Sequence, residues 1–237
     1  MARKFQFNWK VSLFAGICLL VFLRLGLWQL DREQDKIELI ADRAAKAAEA
    51  PLMASELPLD VLAAGARAQL TGAFDQSITL LRDNVVLQGT VGFEVHQLFA
   101  EVSGRFFLVN RGFVPMGRTR QDAVQIPPVE SGEVTLLGTI YAGEGAPLML
   151  GETPMAESYP VIVQRISIDE VAAASGREIY PYVIRLAEEA PGALPRYWPD
   201  TVMSPEKHFG YAVQWFTMAL AVSLAWLFFS FRKEEGE

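Results

Sequence analysis

Two long stretches of this chain lack charge, and a polar middle separates them. Residues Val11 to Leu23 carry no charged side chain. Arg24 interrupts, and Leu25-Gly26-Leu27-Trp28-Gln29-Leu30 resumes the apolar character. Trp9 and Trp28 bracket this first stretch, and the helical rise between them covers roughly 29 Å at about 1.5 Å per residue. That matches a hydrocarbon core of about 30 Å with an indole at each interface. The second stretch, Phe209 to Phe231, is uncharged throughout, with Gln214, Thr217, Ser223 and Ser230 as its polar side chains and Arg232-Lys233 as its stop. Both patterns predict membrane-spanning helices.

Between them the period changes twice. Asp31 to Ala50 is rich in Ala and charge, with residues four apart such as Arg32/Lys36 and Asp42/Lys46, and predicts a helix continuing out of the first span. Pro51 ends it. Alternation then predicts strands at Arg67–Thr71, Ile78–Leu87, Gly92–Phe99, Phe106–Val114, Glu133–Ile140, Pro160–Arg165 and Tyr180–Leu186, parted by Gly, Pro, Asn and Asp turns. A short helix, Ile168–Ser175, is predicted from Ser167 as N-cap, Glu170 at capping-box spacing and Gly176 as stop.

The expected architecture is a membrane protein in which two transmembrane α-helices flank a mostly antiparallel β domain with a little helix (α+β), as a sheet or barrel. The segments are a cytoplasmic N-terminus (1–10), a first span (11–30), an extracytoplasmic domain (31–207), a second span (208–231) and a cytoplasmic tail (232–237). A cleaved signal peptide is the competing reading of the first span. Arg-Leu-Gly-Leu-Trp-Gln-Leu stands where a small-residue cleavage site belongs, so an uncleaved anchor is expected. Arg3, Lys4, Lys10, Arg232 and Lys233 favour both ends inside, although Arg32, Lys36 and Lys207 lie near the outer flanks. The N-terminus is short and poor in Arg and Ser for a mitochondrial presequence. A bacterial inner membrane with a periplasmic domain is therefore expected.

Composition sharpens this picture. The chain has 237 residues, 51% hydrophobic and 21% charged, and a formal net charge of −7. Residues 31–207 hold 15 Lys+Arg against 25 Asp+Glu, a net −10. The mean hydropathy of +0.20 and the pI of about 5.0 average these unlike parts. A polytopic transporter is excluded by the shortage of apolar sequence, and disorder by its abundance. The acidic balance argues against nucleic acid as a partner. A single cysteine, Cys18, excludes a disulfide framework and a thiolate zinc site.

Candidate chemistry is sparse. There are two histidines, His96 and His208. No nucleophile elbow or phosphate loop appears, and no residue is put forward as catalytic. His96 sits in alternating Phe93-Glu94-Val95-His96-Gln97-Leu98-Phe99, where it reads as a strand residue on the wetter face. His208 lies at the outer mouth of the second span, where an imidazole is a functional candidate. At about 100° per residue it shares a helical face with Tyr211, Ala212, Trp215, Ala219, Val222 and Trp226. Such a stripe allows haem ligation, but spacing alone favours an interfacial histidine that anchors a helix end. The neighbouring face, Gly210, Gln214, Thr217 and Ala221, reads as the packing face toward the first span through Ser12, Ala15, Gly16 and Leu19. Arg24 is a snorkelling boundary residue or, if His208 binds haem, a partner for a propionate. In Asn110-Arg111-Gly112-Phe113, Gly112 marks a bulge or turn, with Arg111 expected to pair an acidic neighbour.

Three segments together resemble the Surfeit locus protein 1 family of cytochrome oxidase assembly factors. They are Leu25-Gly26-Leu27-Trp28-Gln29-Leu30-Asp31-Arg32 with Lys36 following, Val109-Asn110-Arg111-Gly112-Phe113-Val114-Pro115, and Lys207-His208-Phe209-Gly210-Tyr211-Ala212-Val213-Gln214-Trp215-Phe216. Phe113 departs from the family's frequent Trp but keeps an aromatic. The resemblance implies a non-enzymatic role: binding haem a transiently and assisting its insertion into subunit I of a haem–copper terminal oxidase. Subunit I and haem a synthase would be partners. It places the family's membrane histidine at His208, as axial ligand to the haem iron. Tyr211, Trp215, Arg24 and Trp28 would be further haem contacts. Gln29, Arg32, Asn110, Arg111, Gly112 and Gln214 are motif residues without an assigned role. The rival readings are a sensor, for which the six-residue tail leaves no output, and a hydrolase, for which no constellation stands out. The third is a cofactor-free scaffold that stabilises assembly intermediates.

Overall fold

The structure is a computed structural model and describes residues 3–5, 7–60, 64–118, 122, 124–129, 131–143, 159–196, 198 and 203–233. In chain order it holds β1 (Arg3–Phe5), α1 (Trp9–Ala48), β2 (Leu52–Met53), a 3-10 turn (Ala54–Glu56), β3 (Arg67–Leu87), β4 (Thr90–Glu101), β5 (Phe106–Pro115), β6 (Val134–Tyr141) and β7 (Val161–Val163). There follow α2 (Ile168–Ser175), β8 (Ile179–Leu186), α3 (Pro205–Ser230) and β9 (Phe231–Lys233). Contacts divide the chain into two units, one of Met1–Asp42 with Pro199–Glu237, the other Arg43–Trp198.

The first unit is a helix pair. Asn8 starts α1 by accepting bonds at Oδ1 from the backbone N–H of Lys10 (3.1 Å) and Val11 (3.4 Å), which satisfies donors the helix cannot satisfy itself. The helix then runs unbroken from the apolar stretch into the charged one, as its sequence predicts. Arg32 pairs with Asp35 at 3.2 Å rather than lying with Lys36, since two cations four residues apart repel. In α3, Pro205 sits at the first turn, where its missing N–H costs nothing. Both helices are long and apolar enough to cross a membrane, and only 6% and 11% of their apolar windows are buried. A soluble core helix would be buried, so this pair points to a membrane protein. β1 pairs antiparallel with β9, Phe5 opposite Phe231, and so brings the segments before α1 and after α3 to the same end of the helix pair.

The second unit is a closed sheet. β3 pairs antiparallel with β4, β4 with β5, β6 with β8 and β3 with β6, while β5 and β8 run parallel. These five strands form a ring without a free edge. The short β2 and β7 add parallel to β3. The two segments expected as separate strands, Arg67–Thr71 and Ile78–Leu87, belong to one strand. Register breaks between Asp75 and Thr79 and between Arg82 and Val85 bend it, so it pairs with β6 early and β4 later. Polar residues at the bend, Asp75-Gln76-Ser77, gave it the composition of a turn.

All five ring strands fill the interior, through Leu70, Phe99, Val109, Leu136, Ile140 and Ile184. A second cluster, Leu80, Leu98, Leu108, Val163, Val171 and Val183, lies on the opposite face of those strands, where β7 and α2 cover it. α2 begins and ends as expected. Ser167 Oγ accepts from the Glu170 N–H at 3.3 Å, and Gly176 closes the helix in the left-handed region at φ 66°. Glu170 turns to Arg165 at 2.5 Å, however, instead of back to the cap.

Covering both faces of β4 has a consequence for His96. It is 3% exposed and not on a wet face. Its ring lies with Glu94, Arg82 and Arg185, and burial pulls its pKa down to about 4, against a partial upward pull from Glu94.

Candidate functional site

The helix pair carries one buried imidazole. On α3, His208, Ala212 and Ala219 are buried, and with Trp215 and Trp226 they form a stripe that packs on α1. Trp215 lies 5.8 Å from Phe22, ring centre to ring centre. Trp226 Nε1 donates to Ser12 Oγ at 2.9 Å. On α1 the facing residues recur at helical spacing: Ser12, Phe22, Gly26 and Gln29. Gly26 is a point of close contact, because a Cβ there would fall 2.6 Å from the Phe216 ring.

This reverses one expectation. The stripe read as a shield for a macrocycle is the packing face, while Gln214, Thr217 and Ala221 are exposed and Gly210 faces open space. The small residues Ala212 and Ala219, two turns apart on the histidine's own face, are the buried ones. On the α1 side Ser12 is in contact as expected, whereas a Cβ at Gly16 would meet nothing within 4 Å.

His208 is 8% exposed. Its Nδ1 lies 2.8 Å from Gln29 Oε1. An amide oxygen only accepts, so Nδ1 carries the proton and donates. Nε2 is then the lone-pair nitrogen, and it is buried without a hydrogen-bond partner. Fixing one ring nitrogen through a second residue is how proteins set the nitrogen that binds metal. The site therefore offers one preset, uncommitted donor, which suits a single axial ligand to haem iron and no multidentate metal site. Exposing Nε2 requires the side chains that cover it to move aside. Of the other expected haem contacts, Arg24, Trp28 and Tyr211 are exposed on the helix surfaces, and Trp215 is engaged with Phe22. Arg32 is exposed beside Asp35.

The motif residues Asn110, Arg111 and Gly112 lie elsewhere, in the closed sheet. Their pairing shows the expected bulge: Val95 opposes Gly112 and His96 opposes Asn110, leaving Arg111 as the extra residue. Gly112 has φ 119°, and a Cβ there would lie 2.6 Å from the Leu194 carbonyl oxygen, so only glycine fits. Asn110 Oδ1 accepts from the Gly112 N–H at 2.9 Å, and its Nδ2 donates to Glu94 at 2.8 Å. Burial pushes the Glu94 carboxyl up, but His96, Arg82 at 2.9 Å and Asn110 more than offset this and hold it below its ordinary value.

Arg111 does not pair with an acid. Its three partners are neutral oxygens, those of Gly192 (Nε, 2.8 Å), Gln97 (2.7 Å) and Pro127 (2.9 Å). Phe113 and Leu194 exchange with this loop too, through Phe113 N–H to Pro195 and Leu194 N–H to Arg111. The acid falls to Asn110 because alternation sends Glu94 and Asn110 to one face of the β4–β5 ladder and Gln97 and Arg111 to the other. Gln97 and Thr79 went unremarked in the sequence. For Gln97 the signal is a polar side chain in phase with the apolar Val95 and Phe99.

Together these parts define a class: an apolar two-helix unit with one preset histidine, joined in one chain to a closed five-stranded β domain. The SURF1 family model matches residues 16–220, and this chain belongs to that family. All three segments that carried the resemblance fall inside that range. A SURF1-like protein of Monosiga brevicollis is 28% identical over 224 residues, covering 86% of this chain and 81% of the relative. SURF1-like proteins of Mycobacterium bovis and Mycobacterium tuberculosis are 25% identical over 166 residues, 70% of this chain and 59% of theirs. Membership of this family points to a role in cytochrome c oxidase assembly.

Proposed function

We propose that this protein is an assembly factor for a haem–copper terminal oxidase, binding haem a as cargo through His208 and assisting its insertion into subunit I. The observation that carries the reading is the His208–Gln29 pair, which leaves a buried Nε2 with a free lone pair. A neutral imidazole with its other nitrogen held by a hydrogen bond is a standard axial donor. His208 would supply the axial nitrogen and Gln29 would hold the ring. Arg24 offers an exposed cation to a propionate, and Trp28 and Tyr211 offer exposed aromatic faces. Trp215 serves the helix packing instead. Holding the iron by one protein nitrogen makes release to a site with stronger ligation favourable.

The role is non-enzymatic in this reading. Subunit I and haem a synthase are the partners, and the setting is a bacterial inner membrane with both ends cytoplasmic and the β domain in the periplasm. One observation favours the cofactor-free scaffold instead: the aromatic stripe is committed to α1 and Nε2 is covered. A complementation experiment separates the two. In a strain lacking this protein, the chain or its His208→Ala variant is supplied, and the haem a content of purified oxidase is measured. The expected result is that wild type restores haem a to subunit I and His208→Ala does not. Full restoration by His208→Ala would favour the scaffold.

A further inference from the structure

The closed sheet holds a second site, unconnected with the haem reading. Arg111 is 1% exposed and heads the fully buried side chains in size. Among the described residues no carboxylate pairs with it. Three of its five N–H groups go to neutral oxygens, and its guanidinium lies 5.8 Å from the Phe74 ring centre. Keeping a cation buried without an anion is costly, and proteins rarely do so without a use for the charge.

Beside this charge lies a cavity of about 290 Å³, lined by Arg111, Gln97, Thr79, Gln76, Pro127 and Tyr159 among others. The hydrogen bonds along its polar side have a direction. Gln97 Oε1 accepts from Arg111, which turns the amide nitrogen toward Thr79, and Nε2 donates to Thr79 Oγ1 at 3.0 Å. The Thr79 oxygen is thus an acceptor within the chain, and its own O–H remains to donate. The Arg111–Gln97–Thr79 chain therefore presents positive charge and a hydroxyl donor, both suited to an acceptor. Burial draws the guanidinium down to about 10, which still leaves it charged at neutral pH.

We propose that this cavity binds a small organic monocarboxylate, its charge facing Arg111 and an oxygen accepting from Thr79. One guanidinium balances one negative charge, which disfavours a phosphate dianion. Ile126, Pro127, Pro128 and Val129 supply an apolar wall for a short hydrocarbon body. The volume sits near the lower end for ligand pockets, roughly 300–1,000 Å³, so the ligand is small.

The test is titration calorimetry on the full chain in detergent at neutral pH, with butyrate, its neutral isostere butyramide, and inorganic phosphate as probes. Butyrate is expected to bind saturably, with butyramide and phosphate at least tenfold weaker. Thr79→Val, which keeps the shape and removes the hydroxyl, is expected to weaken butyrate at least tenfold while the chain stays folded by circular dichroism. Absence of saturable butyrate binding to wild type, equal affinity for butyramide, or preference for phosphate would overturn the proposal.

Discussion

Gln29 Oε1 on α1 accepts a 2.8 Å hydrogen bond from His208 Nδ1 on α3, joining residues 179 positions apart in sequence. The bond fixes the imidazole in the form whose Nε2 holds the lone pair. Gln29→Leu removes it at similar bulk, leaving the ring free to rotate and to exchange tautomers. Loss of an outer partner of a metal-binding histidine lowers affinity about 10- to 100-fold. Gln29→Glu keeps an acceptor and is expected to retain most haem. Haem content per chain after purification with haem a supplied reads both variants, and equal loading of Gln29→Leu and wild type would show that Gln29 does not position the ring.

Gly112→Ala forces a methyl group into left-handed backbone and against the Leu194 carbonyl. The conformational strain costs about 1–3 kcal/mol before the clash is counted. Urea denaturation followed by far-UV circular dichroism should show a lower midpoint. An unchanged midpoint would mean that the bulge relaxes freely.

Asn110→Leu strands the buried Gly112 N–H and takes from Glu94 one of its donors, leaving that carboxylate to Arg82 alone. A buried polar group without its partner costs about 1–3 kcal/mol. The same unfolding assay should show a loss at least as large as for Gly112→Ala, and Asn110→Asp should lose more, since it places a second carboxylate beside Glu94.

His96 makes stability depend on pH. Its pKa is about 4 in the folded chain against 6.5 when free, so the unfolded state binds the proton first as pH falls. Above pH 6.5 both states are neutral at this ring and nothing is lost. Between 6.5 and 4 the folded state loses stability, up to roughly 3 kcal/mol from this group at about 1.4 kcal/mol per pH unit. Glu94, whose pKa is lowered, adds a loss in the same direction at the acid end. His96→Gln should flatten the fall between pH 6.5 and 4. A variant that falls as steeply as wild type would assign the slope elsewhere.

Much of this structure was legible in the sequence because period and punctuation encode local geometry. The uncharged stretches located both long helices, and Ser167 and Gly176 located α2 to the residue. Gly112 announced its bulge. What failed was relational. Alternation in β4 cannot say that both faces are covered, so it points His96 to the wetter face. Polar residues at a bend in β3 looked like a turn, because a bulge and a turn use the same composition. The face of α3 that meets α1 is ambiguous in sequence, since aromatic residues and small residues both mark packing faces. The contacts of Trp215 with Phe22 and of Trp226 with Ser12 decide it. The Gln29–His208 bond was invisible for another reason: a glutamine in a helix has no signature until its partner is known.

The central claim is that His208 is the haem a ligand. The direct measurement is the visible spectrum of the chain purified in mild detergent after co-expression with the haem a synthesis enzymes, beside His208→Ala prepared the same way. The account predicts a haem a spectrum for wild type that is lost or reduced at least tenfold in His208→Ala. Wild type without haem, or equal haem in both, would contradict it.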